Sequence, residues 1–417
     1  MINLSKMRLR KYACFLMLCV FWTACSKDEA TVIPPVVEEG KEEQEIVSSH
    51  IFKDLGSLDI AVEANGNYWG GSDFGLIKDI SGKRYSYCHP DVEYFANGLY
   101  GYKYWMVFTP YFGQVGSSGN AILYENPTVV VSNDALHWTV PFGLINPIQR
   151  PPMKEDGEPD DAQNRRQGYW SDVDWIYHNG VFELYYRGNG VSQKSLERIC
   201  SNSSNNTRKL SGKSAGRNIV RQTSVDGVKW SPAEIAFTSN YPSTLFDNHV
   251  LSPSFVQVGD DIVSYEVDFN TGKEGYKEND PSFVLKRISK NGLDFTDFDK
   301  SKIVHFVNKP WISGNKNYSP WHLHACYRDG YYFLTLAVGD VKRYTSEELY
   351  LAFSRDGVNF NVFPKAIVTS NVYRSSIFPT GDSNDKMDFG AVIGLRTGEF
   401  KYRKFSIKKQ LLRKLVG

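Results

Sequence analysis

Ser224-Val225-Asp226-Gly227-Val228-Lys229-Trp230 is one of four copies of the same short turn. The others are Ser132-Asn133-Asp134-Ala135-Leu136-His137-Trp138, Ser289-Lys290-Asn291-Gly292-Leu293-Asp294-Phe295 and Ser354-Arg355-Asp356-Gly357-Val358-Asn359-Phe360. Asp-Gly gives a tight turn, and the aromatic that follows packs back between sheets. The last three copies are spaced by 65 residues, the first gap is 92, and a polar insert at 189–217 accounts for the excess. Between the turns lie alternating apolar runs bounded by Gly, Asn or Asp, such as Val181-Phe182-Glu183-Leu184-Tyr185-Tyr186-Arg187 and Tyr331-Tyr332-Phe333-Leu334-Thr335-Leu336. A period of this size with several strands per unit is a propeller signature. Four turns mark four blades, and residues 373–406 supply strands for a fifth. The sequence therefore predicts an all-β chain, a five-bladed β-propeller in a single domain over 49–417. Residues 58–64 are the candidate for the strand that closes the ring. Helical periodicity is confined to the tail, 408–416.

A second pattern marks the first strand of each unit. Tyr87-Cys88-His89-Pro90-Asp91-Val92-Glu93-Tyr94, Trp170-Ser171-Asp172-Val173-Asp174-Trp175-Ile176-Tyr177 and Trp321-His322-Leu323-His324-Ala325-Cys326-Tyr327 align on a Tyr that precedes Asn-Gly or Asp-Gly. Counting three back from that Tyr gives Asp91, Asp174 and His324; counting five back gives His89, Asp172 and His322. Residues two apart on a strand point the same way, so each inner strand is expected to carry a pair of ionisable side chains on one face. In the third unit, Ser252 and Ser254 occupy these positions.

The chain has 417 residues, 14% aromatics and a net charge of +1. That balance offers nothing to draw nucleic acid. Lys6, Arg8, Arg10 and Lys11 precede an apolar run at 12–22 that is too short to span a bilayer, and Thr23-Ala24-Cys25 follows. This is a secretory signal pattern. Its small-small-Cys ending resembles a bacterial lipoprotein signal, with Trp22 departing from the usual aliphatic residue. The resemblance implies a signal peptide at 1–25, lipidation of Cys25 and a membrane partner through that N-terminal anchor. Ser26-Lys27-Asp28-Glu29 resembles the acidic tag of surface-exposed outer-membrane lipoproteins; otherwise the protein is periplasmic or secreted. Residues 26–48 read as a flexible acidic tether. Of six cysteines, Cys88, Cys200 and Cys326 lie beyond the signal, an odd number without disulfide or zinc spacing.

The turn and the inner-strand Asp together resemble the five-bladed glycoside hydrolases of families 43, 32, 117 and 130. The resemblance covers roughly residues 50–405, and it implies cleavage of a glycosidic bond in a polysaccharide or oligosaccharide. Such cleavage needs two carboxyl groups across a cleft. By resemblance, Asp91 matches the first-blade general base or nucleophile. Asp174 matches the Asp that tunes the acid. The families place an acid Glu on or near the third inner strand, where this chain has serines, so Glu125 and Glu266 are the candidates for it. The start of strand one and the end of strand two share one rim of a propeller. That rim is expected to collect His89, Asp172, Arg187, His322, His324 and Arg374 as substrate-binding residues, along with Asp268, Asp340 and Arg396. No cofactor is expected. A divalent metal in the central channel, held by His89, His322, His324 and a carboxylate, is the alternative. Two other readings share the scaffold: a non-catalytic glycan-binding surface lipoprotein, and a phosphorylase that grips phosphate through Arg187, Arg374 and Arg396.

Overall fold

The computed structural model describes residues 53–61, 87–115, 121–149, 169–189, 191, 193–201, 218–238, 251–269, 280–295, 303–313, 317–343 and 345–416. Two short strands come first, β1 (Lys53–Ser57) and β2 (Asp59–Ala61). Blade I is built from β3 (Tyr87–Leu99), β4 (Tyr102–Val115), β5 (Ala121–Glu125), β6 (Thr128–Ser132) and β7 (His137–Thr139). Blade II comprises β8 (Tyr169–His178), β9 (Val181–Asn189), β10 (Asn218–Ser224) and β11 (Glu234–Thr238), with α1 (Gln193–Ile199) after β9. Blade III has β12 (Leu251–Val258), β13 (Asp261–Phe269) and β14 (Ser282–Ser289). Blade IV has β15 (His305–Phe306), β16 (Tyr318–Arg328), β17 (Tyr331–Asp340), β18 (Glu348–Ser354) and β19 (Asn359–Val362). Blade V has β20 (Ser376–Asp382), β21 (Lys386–Gly394) and β22 (Phe400–Lys408), and α2 (Lys409–Val416) ends the chain. The five first strands touch in a cycle, β3 to β8, β12, β16, β20 and back to β3. This is the five-bladed propeller that the repeats predict.

The repeated turn holds its shape by local hydrogen bonds. Ser224 Oγ accepts the Gly227 N–H at 2.9 Å, and Asp226 Oδ1 accepts those of Val228 and Lys229 at 2.8 and 2.7 Å. The other three copies repeat the pattern, with Asn291 in place of the Asp. The turns of blades II, III and IV then seat on the preceding blade. Gly227 sits at φ 71° with no room for a side chain, since a Cβ there would lie 2.2 Å from the Trp105 ring of blade I. Likewise the Tyr265 hydroxyl of blade III donates to the Gly357 carbonyl of blade IV at 2.8 Å. Trp138, Phe295 and Phe360 are buried behind their turns, and Trp230 is half-buried. The sequence motif is thus a device that joins blades as well as strands.

Ring closure differs from the expectation. The strand that completes blade V is β1, paired antiparallel with β22 from Lys53↔Lys404 to Ser57↔Lys401. Residues 59–61 of the expected stretch form β2, which lies parallel to β7 on the outer edge of blade I. The apolar residues Leu58 and Ile60 mark the strand that tucks under blade I. The closing strand, KDLGS, is an exposed edge whose pairing is carried by the backbone and leaves no apolar alternation to read. The expected signal, Cys25 and tether lie outside the described residues, as does most of the polar insert.

Candidate active site

The inner strands are not regular where they carry the paired residues. Their pairing slips between Cys88 and Asp91, between Ser171 and Asp174, and between Leu251 and Ser254. At each slip the extra residue is left-handed: His89 at φ 54°, Asp172 at 49° and Ser252 at 49°. Such a conformation is costly for a residue with a Cβ, and where it persists it often serves a site. In blades I to III the bulge falls between the two positions of the pair and breaks the expected simple alternation, whereas His322 and His324 of blade IV keep it. In blades I, II and IV the two positions meet different partners, one set, the upper layer, around Asp172 and the other, the lower layer, around Asp91 and Asp174.

The lower layer is a belt. Asp91 accepts the N–H of Trp175 on the next blade at 2.8 Å, Asp174 that of Phe255 at 2.7 Å, and Ser254 that of Ala325 at 2.8 Å. His324 Nδ1 faces the Ile377 N–H at 3.4 Å, and Ser376 accepts the Val92 N–H at 3.3 Å, which brings the cycle back to blade I. Each blade thus offers one side-chain acceptor to the backbone of the next. Further side-chain contacts tie the belt together. His324 Nε2 lies 2.7 Å from Asp91 Oδ1, and Asp174 Oδ2 receives Ser254 Oγ at 2.7 Å and Arg374 Nη2 at 2.6 Å. Arg374, fully buried, also donates to the carbonyls of Val173 and Pro253. Burial raises the Asp91 carboxyl, but His324, the Trp175 N–H and Arg374 outweigh it and hold Asp91 low. Burial and then the Asp91 charge push Asp174 up, against Arg374, Ser254 and the Phe255 N–H.

The upper layer holds His89, Asp172 and His322, all buried. His89 Nε2 lies 3.0 Å from Asp172 Oδ1, and His322 Nδ1 lies 3.9 Å from the same oxygen. Among the described residues, His89 Nε2, Asp172 Oδ1 and both ring nitrogens of His322 have no hydrogen-bond partner. Asp172 Oδ2 is taken by Arg187 Nε at 2.7 Å. Burial alone would raise the Asp172 carboxyl, but Arg187, His89 and His322 hold it well below the usual range. Burial drives His322 well below the ordinary imidazole value, against the pull of Asp172. On the far side of His89, Nδ1 lies 2.8 Å from Thr109 Oγ1 and 3.3 Å from Glu125 Oε2. The half-buried ring of Tyr373 packs against His322 at 4.3 Å and His89 at 5.5 Å between centroids.

Three groups of side chains have ligand atoms within 4.8 Å of one another: Cys88 with His89 and Glu125, His89 with Asp172 and His322, and Asp91 with Asp174 and His324. The last is saturated by belt donors and by Arg374. The second has open nitrogen and carboxylate atoms, a borderline donor set suited to zinc and other first-row divalent ions. Its spacing of 3.0 and 3.9 Å suits atoms that would share one ion at about 2 Å each.

Of the residues expected at the rim, His89, Glu125, Asp172, Arg187 and His322 come together. Asp91, Asp174, His324 and Arg374 lie in the belt beneath. Glu266 does not join either layer: it is buried in blade III with its Oε1 held by Arg287 Nη2 at 2.8 Å, and Arg287 covers Phe237 of blade II. Its position on β13 alternates away from the channel. Asp340 Oδ1 caps a turn through the N–H groups of Lys342 and Arg343. Sequence reasoning missed Thr109, Tyr373 and the belt serines. The Ser254 place had been visible as a departure, and its hydroxyl does the work a third carboxylate would have done there.

The fold is a five-bladed propeller whose inner strands gather a buried cluster of polar side chains. No protein-family model matches the chain. It is 26% identical over 336 residues to the A type blood N-acetyl-alpha-D-galactosamine deacetylase of Flavonifractor plautii, covering 70% of this chain and 37% of that protein. The chain thus spans well under half the length of this curated relative. Among solved structures, an N-acetylgalactosamine deacetylase from F. plautii in complex with blood group B trisaccharide shares the fold, with a TM-score of 0.58, 19% identity, and coverage of 88% of this chain and 98% of that one. A family 117 glycoside hydrolase from the marine bacterium Zobellia galactanivorans is also similar, at a TM-score of 0.48 and 10% identity, over 86% of this chain and 90% of its own. The relatives are carbohydrate-active enzymes.

Proposed function

We propose that the protein is a metal-dependent carbohydrate hydrolase that removes an N-acetyl group from an amino sugar. The observation that carries this reading is the buried convergence of His89, Asp172 and His322, whose facing atoms have no hydrogen-bond partner among the described residues. Unpaired polar atoms are expensive to bury, and a cation would satisfy all of them at once. His89 Nε2, Asp172 Oδ1 and a ring nitrogen of His322 would hold the ion. Bound there, a divalent cation would polarise the carbonyl of an acyl group as a Lewis acid. Arg187 keeps Asp172 ionised. Burial keeps His322 neutral, which is the form a ligand needs. The Tyr373 ring forms a wall beside both imidazoles, where it can position a sugar face. Similarity to a deacetylase of N-acetyl-alpha-D-galactosamine supports the choice of substituent.

Glycosidic cleavage with Asp91 as base or nucleophile, Asp174 tuning the acid, and Glu125 or Glu266 as that acid is the reading it displaces. Asp91 receives the Trp175 N–H and contacts from His324 and Ser376, and Asp174 receives the Phe255 N–H, the Ser254 hydroxyl and the Arg374 guanidinium, so both are spent largely on joining blades. The test is to supply an oligosaccharide bearing a terminal α-N-acetylgalactosamine and assay both products. Acetate release that EDTA abolishes and zinc or manganese restores is expected. Release of free sugar insensitive to EDTA would return the protein to the glycosidases. Binding with no turnover would make it a glycan-binding module. In this reading the protein works on the outer-membrane surface, tethered through Cys25; Cys25→Ser is expected to abolish incorporation of a labelled fatty acid and release the protein from the membrane fraction, and unchanged labelling would remove the anchor.

A further inference from the structure

We infer that Glu125, acting with Thr109, is a positioning residue that fixes His89 as the Nδ1-protonated tautomer and so turns the Nε2 lone pair to the cation. The inference rests on the metal reading above and gives Glu125 a role other than the general acid expected from the sequence.

The geometry is a short relay. His89 Nδ1 lies 2.8 Å from Thr109 Oγ1, and that hydroxyl lies 3.4 Å from Glu125 Oε2. The same carboxylate oxygen is 3.3 Å from His89 Nδ1 directly. His89, Thr109 and Glu125 are all buried. An ionised carboxylate can only accept. With a proton on Nδ1, the ring donates to Thr109 and Glu125, and the Thr109 hydroxyl passes its own proton to Glu125 or to the Cys88 carbonyl at 3.3 Å. Every group then finds a partner of the right sense. With the proton on Nε2 instead, the Thr109 hydroxyl would have to donate to Nδ1 and would be lost to Glu125 and the Cys88 carbonyl, leaving the Glu125 carboxylate 3.3 Å from a ring nitrogen that offers it no proton. The Nδ1 proton leaves Nε2 as a lone pair, 3.0 Å from Asp172 Oδ1 and not hydrogen-bonded to it. Two bare acceptors at that distance repel, and a divalent cation between them relieves the repulsion. The strain and the relay therefore point the same way. The left-handed backbone at His89 aims the ring, and the carboxylate behind it chooses the nitrogen. Carboxylate–imidazole–metal arrangements of this kind raise ligand basicity, and loss of the carboxylate costs about 10–100-fold in metal affinity.

The experiment uses the full chain with ¹⁵N-labelled histidine, stripped of metal and then titrated with zinc. Long-range ¹H–¹⁵N correlations report the tautomer of His89, assigned by its loss in His89→Gln, and calorimetry reports the affinity. Wild type is expected to show the Nδ1-protonated ring and to bind zinc. Glu125→Ala is expected to lose the tautomer bias and about 10–100-fold in affinity. Glu125→Gln keeps an acceptor oxygen and is expected to recover most of both. A wild-type His89 protonated on Nε2, or Glu125→Ala with unchanged affinity, would overturn the inference while leaving the metal site standing. A wild type that binds no divalent ion would overturn the metal reading itself, and the inference with it.

Discussion

His89, Asp172 and His322 in the upper layer and Asp91, Asp174 and His324 in the belt draw on the same two residue types, two positions apart along the same strands. Their fates differ. Each belt residue meets donors or acceptors from the next blade, and Asp174 alone is engaged by a backbone N–H, a hydroxyl and a guanidinium. The upper residues leave four ring and carboxylate atoms open among the described residues. Residue type does not separate a structural layer from a functional one here. Hydrogen-bond satisfaction does, because a saturated carboxylate has nothing left to offer a ligand.

The comparison breaks first if the belt is not structural. Asp174→Ala would leave Arg374 charged and buried without its partner, and a loss of about 3–5 kcal/mol in urea unfolding is expected. A loss under about 1 kcal/mol would mean the belt does not hold the ring. One level further along β3, Glu93 sharpens the contrast. Burial, then the Asp91 charge, push its carboxyl up to about 8, against the Tyr177 N–H at 3.1 Å. The folded state therefore holds a proton that the unfolded chain releases near its ordinary value of 4.5. Stability from this group is full below that value and falls as pH rises toward 8, at up to about 1.4 kcal/mol per pH unit. Glu93→Gln should flatten this slope between pH 5 and 8 by roughly that amount per unit; an identical slope in both proteins would show that Glu93 is ionised in the fold. The smallest effect is expected in the upper layer. His322→Gln should change the stability of metal-free protein by less than about 1 kcal/mol, since neither ring nitrogen has a partner to lose. Zinc at a hundred times its Kd should stabilise wild type by about 2.7 kcal/mol and the variant by much less. Equal stabilisation of both would place the ion elsewhere.

Much of the fold was legible because it repeats. Ser-x-Asp-Gly-x-x-Trp encodes a turn through local side-chain acceptors, and local chemistry survives in sequence. Counting back from Tyr94, Tyr177 and Tyr327 found both layers, since register on a strand is a matter of number. The bulges at His89 and Asp172 were not legible, because a left-handed His or Asp has no compositional mark as glycine does. Nor was the belt, whose acceptors at Ser254 and Ser376 are ordinary residues given meaning by a backbone some 70–285 positions away. Glu266 misled for a related reason: one residue of strand phase separates the face toward blade IV, where Tyr265 lies, from the face toward blade II.

The strand β1 has a consequence for how the molecule is made. It is the first described strand to leave the ribosome, and its partner β22 is the last, so Lys53 waits for Lys404 before blade V is complete. Until then β22's partner edge stays open in the nascent chain. Closure joins the most distant parts of the sequence, a contact that loop entropy places late in folding. Retention of residues 53–57 during synthesis would therefore leave the outer edge of blade V unpaired while the inner strands meet through β20 and β3.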